Sequence, residues 1–246
     1  MKIPSSHPRA RSLRLREKIV SGVQRGITSR AGLIAHGRGE AFDYLLGEKT
    51  HPFAWQAIQA SAIYLLTARC PVISVNGNVA ALIGPELARF SNRWKIPLEV
   101  NIFHYDPKRE HLLIRYLKQC GAAKVLGSHC GSYKILKGLG HPRRKMNLEG
   151  IAKADVVFVP LEDGDRCQAL RRIGKKVVTV DLNPLSRTAR SATVTIVDEL
   201  TRCFPKLDQA MARLSRKPVK SLRISRARYN NKIHLTAAEK KLRGQF

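Results

Sequence analysis

Four side chains able to handle charge and protons crowd into "LIAHGRGEAFDYLLGE", residues 33–48: His36, Arg38, Glu40 and Asp43, with Gly37 and Gly39 on either side of the arginine. A glycine inside a helix costs about 1 kcal/mol relative to alanine, whereas a loop whose backbone must approach a ligand favours it. The stretch therefore reads as a glycine-flexible turn in which His36 and Arg38 meet phosphate, the guanidinium offering fixed planar donors. Glu40 and Asp43 read as structural groups that cap or stiffen the helix that follows.

Further polar density gathers where short apolar runs stop. "VVTVDLNPLSRT" delivers Asp181 at the end of a strand-like run; an acid there resembles the group that holds a nucleotide ribose. Asn183, Ser186, Arg187 and Thr188 add donors suited to a base or a phosphate. The competing reading is a plain strand-ending turn, since Asn-Pro starts turns well. "PLEDGDR" sets Glu162, Asp163 and Asp165 at another strand end. Three such carboxylates are weak candidates to hold Mg²⁺ with water and a substrate phosphate, against a role for Asp165 in helix capping. "SVNGNVAAL" places Asn76, Gly77 and Asn78 before a helix whose amides suit a carboxylate or phosphate. No GxGxxG and no GxxxxGK[ST] occurs, so hydride transfer with a nicotinamide and a P-loop are unsupported. His104, His129 and His141 show no metal-ligand spacing, and no Ser-His-Asp or Cys-His arrangement can be assembled. Arg16, from pattern alone, is a solvated helix charge.

The elements that must position these groups follow from periodicity. "PVISVNGN", "LEVNIFHYD", "KVLG", "ADVVFVPLEDGD", "KKVVTVDLNP" and "TVTIVDE" are Val- and Ile-rich runs alternating with helical patterns such as "PELARFSNRW", "DPKREHLLIRYLKQCG" and "DRCQALRRIG". That alternation predicts an α/β fold: a Rossmann-like, mostly parallel sheet flanked by helices. Ligands in such sheets bind beyond the carboxyl ends of the strands, which is where the polar tips fall. Residues 1–70 read as a helical N-terminal region packing on the core. Within it Ser12 is a possible N-cap, Gly26 a stop, and Thr50 a possible cap for the apolar helix of 53–68. Residues 71–216 form the core, with a last helix "KLDQAMARLSR" after Pro205, and 217–246 a basic, mobile tail in which "TAAE" could cap a short helix. Gly121 and Gly174 fall where helix C-termini want a left-handed residue.

Composition limits the function classes. Hydrophobic residues make up 43% of the 246, enough for a core. "FAWQAIQASAIYLL" falls short of the 18 or so apolar residues of a membrane span. The N-terminus shows no apolar leader, so the cytoplasm is the expected compartment. Five scattered cysteines without CxxC argue against a disulfide framework or zinc ribbon. The net charge of +27 points to phosphorylated ligands or to a polyanion. Eleven Lys and Arg lie between Arg213 and Phe246 against the single acid Glu239, so a non-specific polyanion contact through the tail is a second expectation. A basic α/β nucleic-acid-binding protein without catalytic activity is the alternative reading of the whole chain.

Several of these blocks carry a resemblance. "IPSSHPRARSLRLREKIVSGVQRGITSRAGLIAHGRGEAFDYLLGE", "PVISVNGNVAAL", "LEVNIFH", "ADVVFVPLEDGDR" and "DLNPLSRTA", in that order and over residues 3 to about 205, resemble the archaeal 4-phosphopantoate–β-alanine ligase family, also called phosphopantothenate synthetase. The resemblance implies an ATP-dependent, AMP-forming ligation of 4-phosphopantoate and β-alanine in coenzyme A biosynthesis, with Mg²⁺ and a homodimer. The family's ATP-contacting positions match Arg16, Arg38, Asp181, Leu182, Asn183, Arg187, Thr188, Glu199 and Leu200. Arg16, Arg38 and Arg187 are then the groups expected to stabilise the reacting phosphoryl oxygens, and the implication reverses the solvated reading of Arg16. His36, Asn76, Gly77 and Asn78 are left as candidates for the substrate's own phosphate. Two departures stand out: Cys167 and Gln168 replace the family's usual Thr-Glu, and Glu199 stands where Asn is common.

Overall fold

The computed structural model describes residues 3–103, 105–127, 132–140 and 142–244. His104, His129, His141 and Cys130 lie outside the described residues. The chain begins with three helices, α1 (Ala10–Gln24), α2 (Arg30–Leu45) and α3 (Pro52–Leu66), and then alternates: β1 (Pro71–Val75), α4 (Gly77–Trp94), β2 (Leu98–Val100), α5 (Pro107–Gln119) and β3 (Val125–Gly127). A hairpin of β4 (Tyr133–Ile135) and β5 (Lys145–Asn147) interrupts before β6 (Val156–Pro160), α6 (Gly164–Arg172), β7 (Lys176–Val180), α7 (Arg187–Ser191) and β8 (Val194–Ile196). Helices α8 (Leu200–Leu214), α9 (Val219–Ala227) and α10 (Asn231–Leu242) close the chain.

The six strands expected from the apolar runs form one parallel sheet in the order β3-β2-β1-β6-β7-β8. Alternate residues go to opposite faces, as a two-residue period requires. Val157, Val159 and Val177 join Leu170 and Met146 on one side, while Phe158, Val178 and Val180 join Leu87 and Phe204 on the other. With both faces covered, the sheet needs the near-continuous apolar strands seen here. The order reverses between β1 and β6, which leaves a crevice at their carboxyl ends. Asn76 Nδ2 donates to Leu161 O across that point at 2.8 Å.

Several expectations change. The glycine-flanked stretch is not a turn: Arg30–Leu45 is one helix, started by Ser29, whose side chain accepts from Gly32 N. Gly37 has open space around it, and Gly39 only an ordinary contact 3.7 Å from Leu182. The glycine with a steric reason is Gly32, where a Cβ would sit 2.5 Å from Asn78 Oδ1 and Thr28 Oγ1. Ion pairs of Glu40 and Asp43 to other elements hold the helix against its weak propensity, so these two acids neither cap nor precede it. Helix α1 starts at Ala10, ahead of Ser12; α3 is preceded by His51, while Thr50 donates to Asp198 at 2.7 Å. Helix α4 reaches back to Gly77 through a kink at Ile83 before Pro85, and α8 contains Pro205 instead of starting after it. Gly26, Gly121 and Gly174 do take left-handed φ beyond their helices.

The tail also differs. Residues 219–242 form α9 and α10, docked through Leu222, Leu235 and Ala238. Asn231 accepts from Thr195 N at 2.8 Å and donates to Ala189 O at 2.9 Å, fixing α10 beside β8. Asn230 caps α10, and Thr236 of "TAAE" lies inside it.

Candidate functional site

A cleft of about 380 Å³ opens at the carboxyl ends of the strands. Its floor comes from strand tips: Asn76 after β1, Ile102 and Phe103 after β2, Leu161 after β6, Leu182 after β7, and Asp198 and Glu199 after β8. Helix α2 forms one wall, with Gly32, His36, Arg38, Glu40 and Asp43. The N-terminus of α4 points in through Gly77 and Asn78. Asn76 caps α4 by accepting from Val79 N at 3.0 Å, leaving the first helical amides and their partial positive charge toward the cleft. Asn78 accepts from the Thr28 hydroxyl and donates to Gly32 O at 2.8 Å, which ties α4 to α2.

Four guanidiniums face this space: Arg11, Arg38, Arg109 and Arg143. Arg11 reaches Glu199 at 3.4 Å. Arg38 is exposed and makes no hydrogen bond or ion pair among the described residues. Arg109, from α5, lies against the α4 N-terminus, its Nη2 2.9 Å from where a Cβ on Gly77 would be. Its Nε is buried without a partner among the described residues, and burial holds the group below the usual arginine range. Arg143 is 3% exposed; it pairs with Glu162 at 2.6 Å and with Asp163, and its Nε donates to Asn101 at 3.2 Å. Its Nη2 is buried and has no hydrogen-bond partner among the described residues. Beneath it Arg166, fully buried, pairs with Glu162 and donates to Ser74 and to Arg143 O, so this layer fixes the arginine above it. Unpartnered buried N–H groups are costly, and two of them on arginines lining one cleft suit an anionic ligand.

The predicted residues divide. Arg38, His36, Leu182, Glu199, Leu200, Asn76, Gly77, Asn78 and Asp163 line the one cleft. Arg16 does not: it stands behind α2 in a shallow groove with Gly37 and Tyr44, bonded to Glu40 at 2.7 Å. That bond raises the Arg16 pKa. Burial alone would raise Glu40, but bonds from Arg16 and Tyr44 hold it below the usual carboxylate range. His36 is pushed down, mainly by burial, so its neutral form is favoured. Asp181, pushed up by burial, accepts from the Ser186 hydroxyl and from Asn183 N, the latter at 2.9 Å. Arg187 is largely exposed and pairs with Asp165 at 2.8 Å, and the Thr188 hydroxyl donates to Glu162 O at 2.9 Å. Asp181 and Asn183, in the β7–α7 connection, and Arg187 and Thr188, at the start of α7, do not line the cleft. Glu199 is the N-cap of α8, its carboxylate accepting from Thr201 N and Arg202 N.

As placed, Glu162 and Asp163 spend their charge on Arg143 and Arg166, and Asp165 on Arg187. No three His, Cys, Asp or Glu side chains converge as a cation site among the described residues, so the carboxylate set does not fit a resident metal. Arg109 and Arg143 were missed by sequence reasoning. Arg109 follows the "DP" helix start beyond β2, a strand-end position that could have marked it. Arg143, in "HPRRKMN", had no pattern to reveal it.

Residues 53–245 match the phosphopantothenate/pantothenate synthetase family. The chain belongs to that family. It is 47% identical over 236 residues to the 4-phosphopantoate–β-alanine ligase of Methanosarcina mazei, spanning 96% of this chain and 92% of that protein. It is 51% identical to the protein of the same name from Thermococcus kodakarensis (83% and 78% covered) and 50% to that from Thermococcus onnurineus (85% and 80%). The family match takes in α9 and α10, which the motif-based resemblance had left out. No helix is long and apolar enough to cross a membrane among the described residues.

Proposed function

We propose that this chain is a 4-phosphopantoate–β-alanine ligase: with ATP it joins the two substrates into 4′-phosphopantothenate, releasing AMP and diphosphate, a cytoplasmic step of coenzyme A biosynthesis. The observation that carries the reading is the near-full-length match to a relative bearing that name, and the cleft supplies chemistry to suit it. A carboxylate and an amine do not condense unaided, because the carboxylate lacks a leaving group. In the proposed route the phosphopantoate carboxylate attacks the α-phosphorus and diphosphate departs. The β-alanine amine then attacks the acyl carbon, and AMP leaves with the former carboxylate oxygen.

Charge grows on phosphoryl oxygens along this route, and fixed cations stabilise it most effectively. Arg38 serves first, since its guanidinium has no competing partner among the described residues. Arg187 joins it by giving up an exposed ion pair with Asp165, at a cost of about 0–1 kcal/mol. Asp181, Leu182 and Asn183, with Glu199 and Leu200, frame the adenosine; Glu199 is committed to the α8 cap and Arg11, so the backbone there makes the contact. The α4 N-terminus with Arg109 and Arg143 suits the substrate's own phosphate, beside Asn76, Asn78 and His36. Mg²⁺ in this reading arrives with the ATP phosphates, because the protein carboxylates are already paired.

A homodimer fits one face of α2. Ile34, Gly37, Ala41 and Leu45 are all exposed and repeat at helical spacing, with Ile34 68% and Leu45 64% exposed. Such a stripe, small in the middle, suits burial against a second copy, and Arg16 and Arg38 flank it. The reading of a nucleic-acid binder without ligase activity is not favoured, because it leaves the family match unexplained. The test is Arg38→Ala: turnover should fall about 10²–10³-fold while the melting temperature stays within about 1 °C, since no ion pair is lost. Wild-type turnover in that variant would remove Arg38 from the mechanism.

A further inference from the structure

Beyond ligation, we propose that α9 and the C-terminal ends of α3 and α6 form a nucleic-acid-binding face that contacts the phosphate backbone without reading sequence. The placement rests on the topology. Helix α3 runs into the amino end of β1 and α6 into the amino end of β7, so both end on the edge of the sheet opposite the cleft. With five-residue strands, the two edges lie about 16 Å apart. Helix α9 packs on α3 at that edge. Arg226 covers the Tyr64 ring at 5.2 Å and donates to Thr67 Oγ1 at 3.0 Å, and Arg171 of α6 also bears electrostatically on Tyr64. Tyr64 of α3 is therefore the point where cations of α6 and α9 meet.

Around it Arg69, Arg172, Lys217, Lys220 and Arg223 are exposed. No acid occurs between Arg213 and Ala238. Asp155, which precedes β6 at this edge, is occupied by the backbone N–H groups of Arg69 and Cys70 at 2.9 and 2.8 Å. Leu222 is buried and docks α9, so the charges are presented on a fixed surface. Their spread over three elements suits a chain of phosphates. An anionic bilayer is less well served, because the exposed apolar residues on α9, Val219 and Ile224, offer little to insert.

The probe is a fluorescein-labelled single-stranded RNA of about 20 nucleotides, followed by anisotropy with the full chain. Five neutralised phosphates give a slope of log K on log salt near −3.5, a loss of about 10²-fold between roughly 50 and 200 mM. Replacing Lys217, Lys220 and Arg223 by Gln should lower the slope by about 2 and weaken binding at least about tenfold, leaving ligation unchanged. Saturating ATP should not displace the RNA. The proposal is overturned by no binding at about 50 mM salt, by an unaffected triple variant, or by displacement with ATP, which would put the RNA in the cleft. Capture by phosphatidylglycerol vesicles in preference to RNA would equally overturn it.

Discussion

Arg202 is the group whose removal should cost most. It lies at the start of α8, 7% exposed, between Asp198 (1%) and Asp43 (6%). Its Nε donates to Asp198 at 2.6 Å, and its two Nη atoms donate to Asp43 at 3.1 and 2.5 Å. Burial would lower the pKa of the guanidinium, but the two carboxylates raise it well above the arginine range. Arg202→Met leaves two buried carboxylates facing each other; Thr50 and the Glu199 amide serve only Asp198. Stranding a buried charge costs about 3–5 kcal/mol, and a chain of this size loses about 2–4 °C per kcal/mol. The melting temperature should therefore fall by roughly 6–20 °C, read by differential scanning fluorimetry and by the urea midpoint. In an Asp43→Asn background the same substitution should cost at least about 1 kcal/mol less, because one stranded charge is gone. A drop under about 3 °C, or strict additivity, would refute the reasoning. Because Asp43 belongs to α2, the loosened clamp should also reduce turnover through Arg38.

Two further predictions follow from single groups. Glu99, fully buried, accepts from Asn147 N and Ile151 N at 3.2 and 2.6 Å, and burial pushes its carboxyl up to about 7 against the buried Arg166. A raised carboxyl stabilises the fold below its unfolded value near 4.5, and that contribution is lost as pH rises to about 7; Glu40 and Asp155, both lowered, act in the opposite sense and below that window. Urea midpoints should therefore show a component declining between about pH 4.5 and 7 that disappears in Glu99→Gln, and its persistence would assign it to another group. On α2, Leu45→Lys should keep the melting temperature and convert a dimer to a monomer by light scattering; an unchanged mass would place the dimer contact elsewhere.

The sheet was legible because Val- and Ile-rich runs buried on both faces leave little ambiguity, and all six runs became its strands. The hairpin β4–β5 was not, since Tyr133, Lys134 and Ile135 are exposed and carry no period. Helix α2 was misread because propensity alone was weighed at Gly37 and Gly39, while the deciding terms were long-range pairs from Glu40 to Arg16 and from Asp43 to Arg202. The docked tail was missed for a similar reason: Leu222, Leu235 and Ala238 with the side chains of Arg226 and Asn231 hold it, too few and too scattered to make a pattern. At the site, strand-end position found Asn76, Gly77, Asn78 and Asp163, the charge pattern of residues 33–48 found His36 and Arg38, and the family resemblance added Leu182, Glu199 and Leu200. Arg109 and Arg143 are recruited by tertiary packing alone, and their nitrogens without a partner among the described residues become visible only once the chain is folded.

The claim on which the account turns is that the phosphopantoate carboxylate is activated at the α-phosphorus of ATP. Ligation with 4-phosphopantoate carrying ¹⁸O in its carboxylate, with products read by mass spectrometry, tests it directly. One labelled oxygen should appear in AMP for each amide formed, with unlabelled diphosphate. Label in inorganic phosphate, with ADP as the nucleotide product, would contradict it.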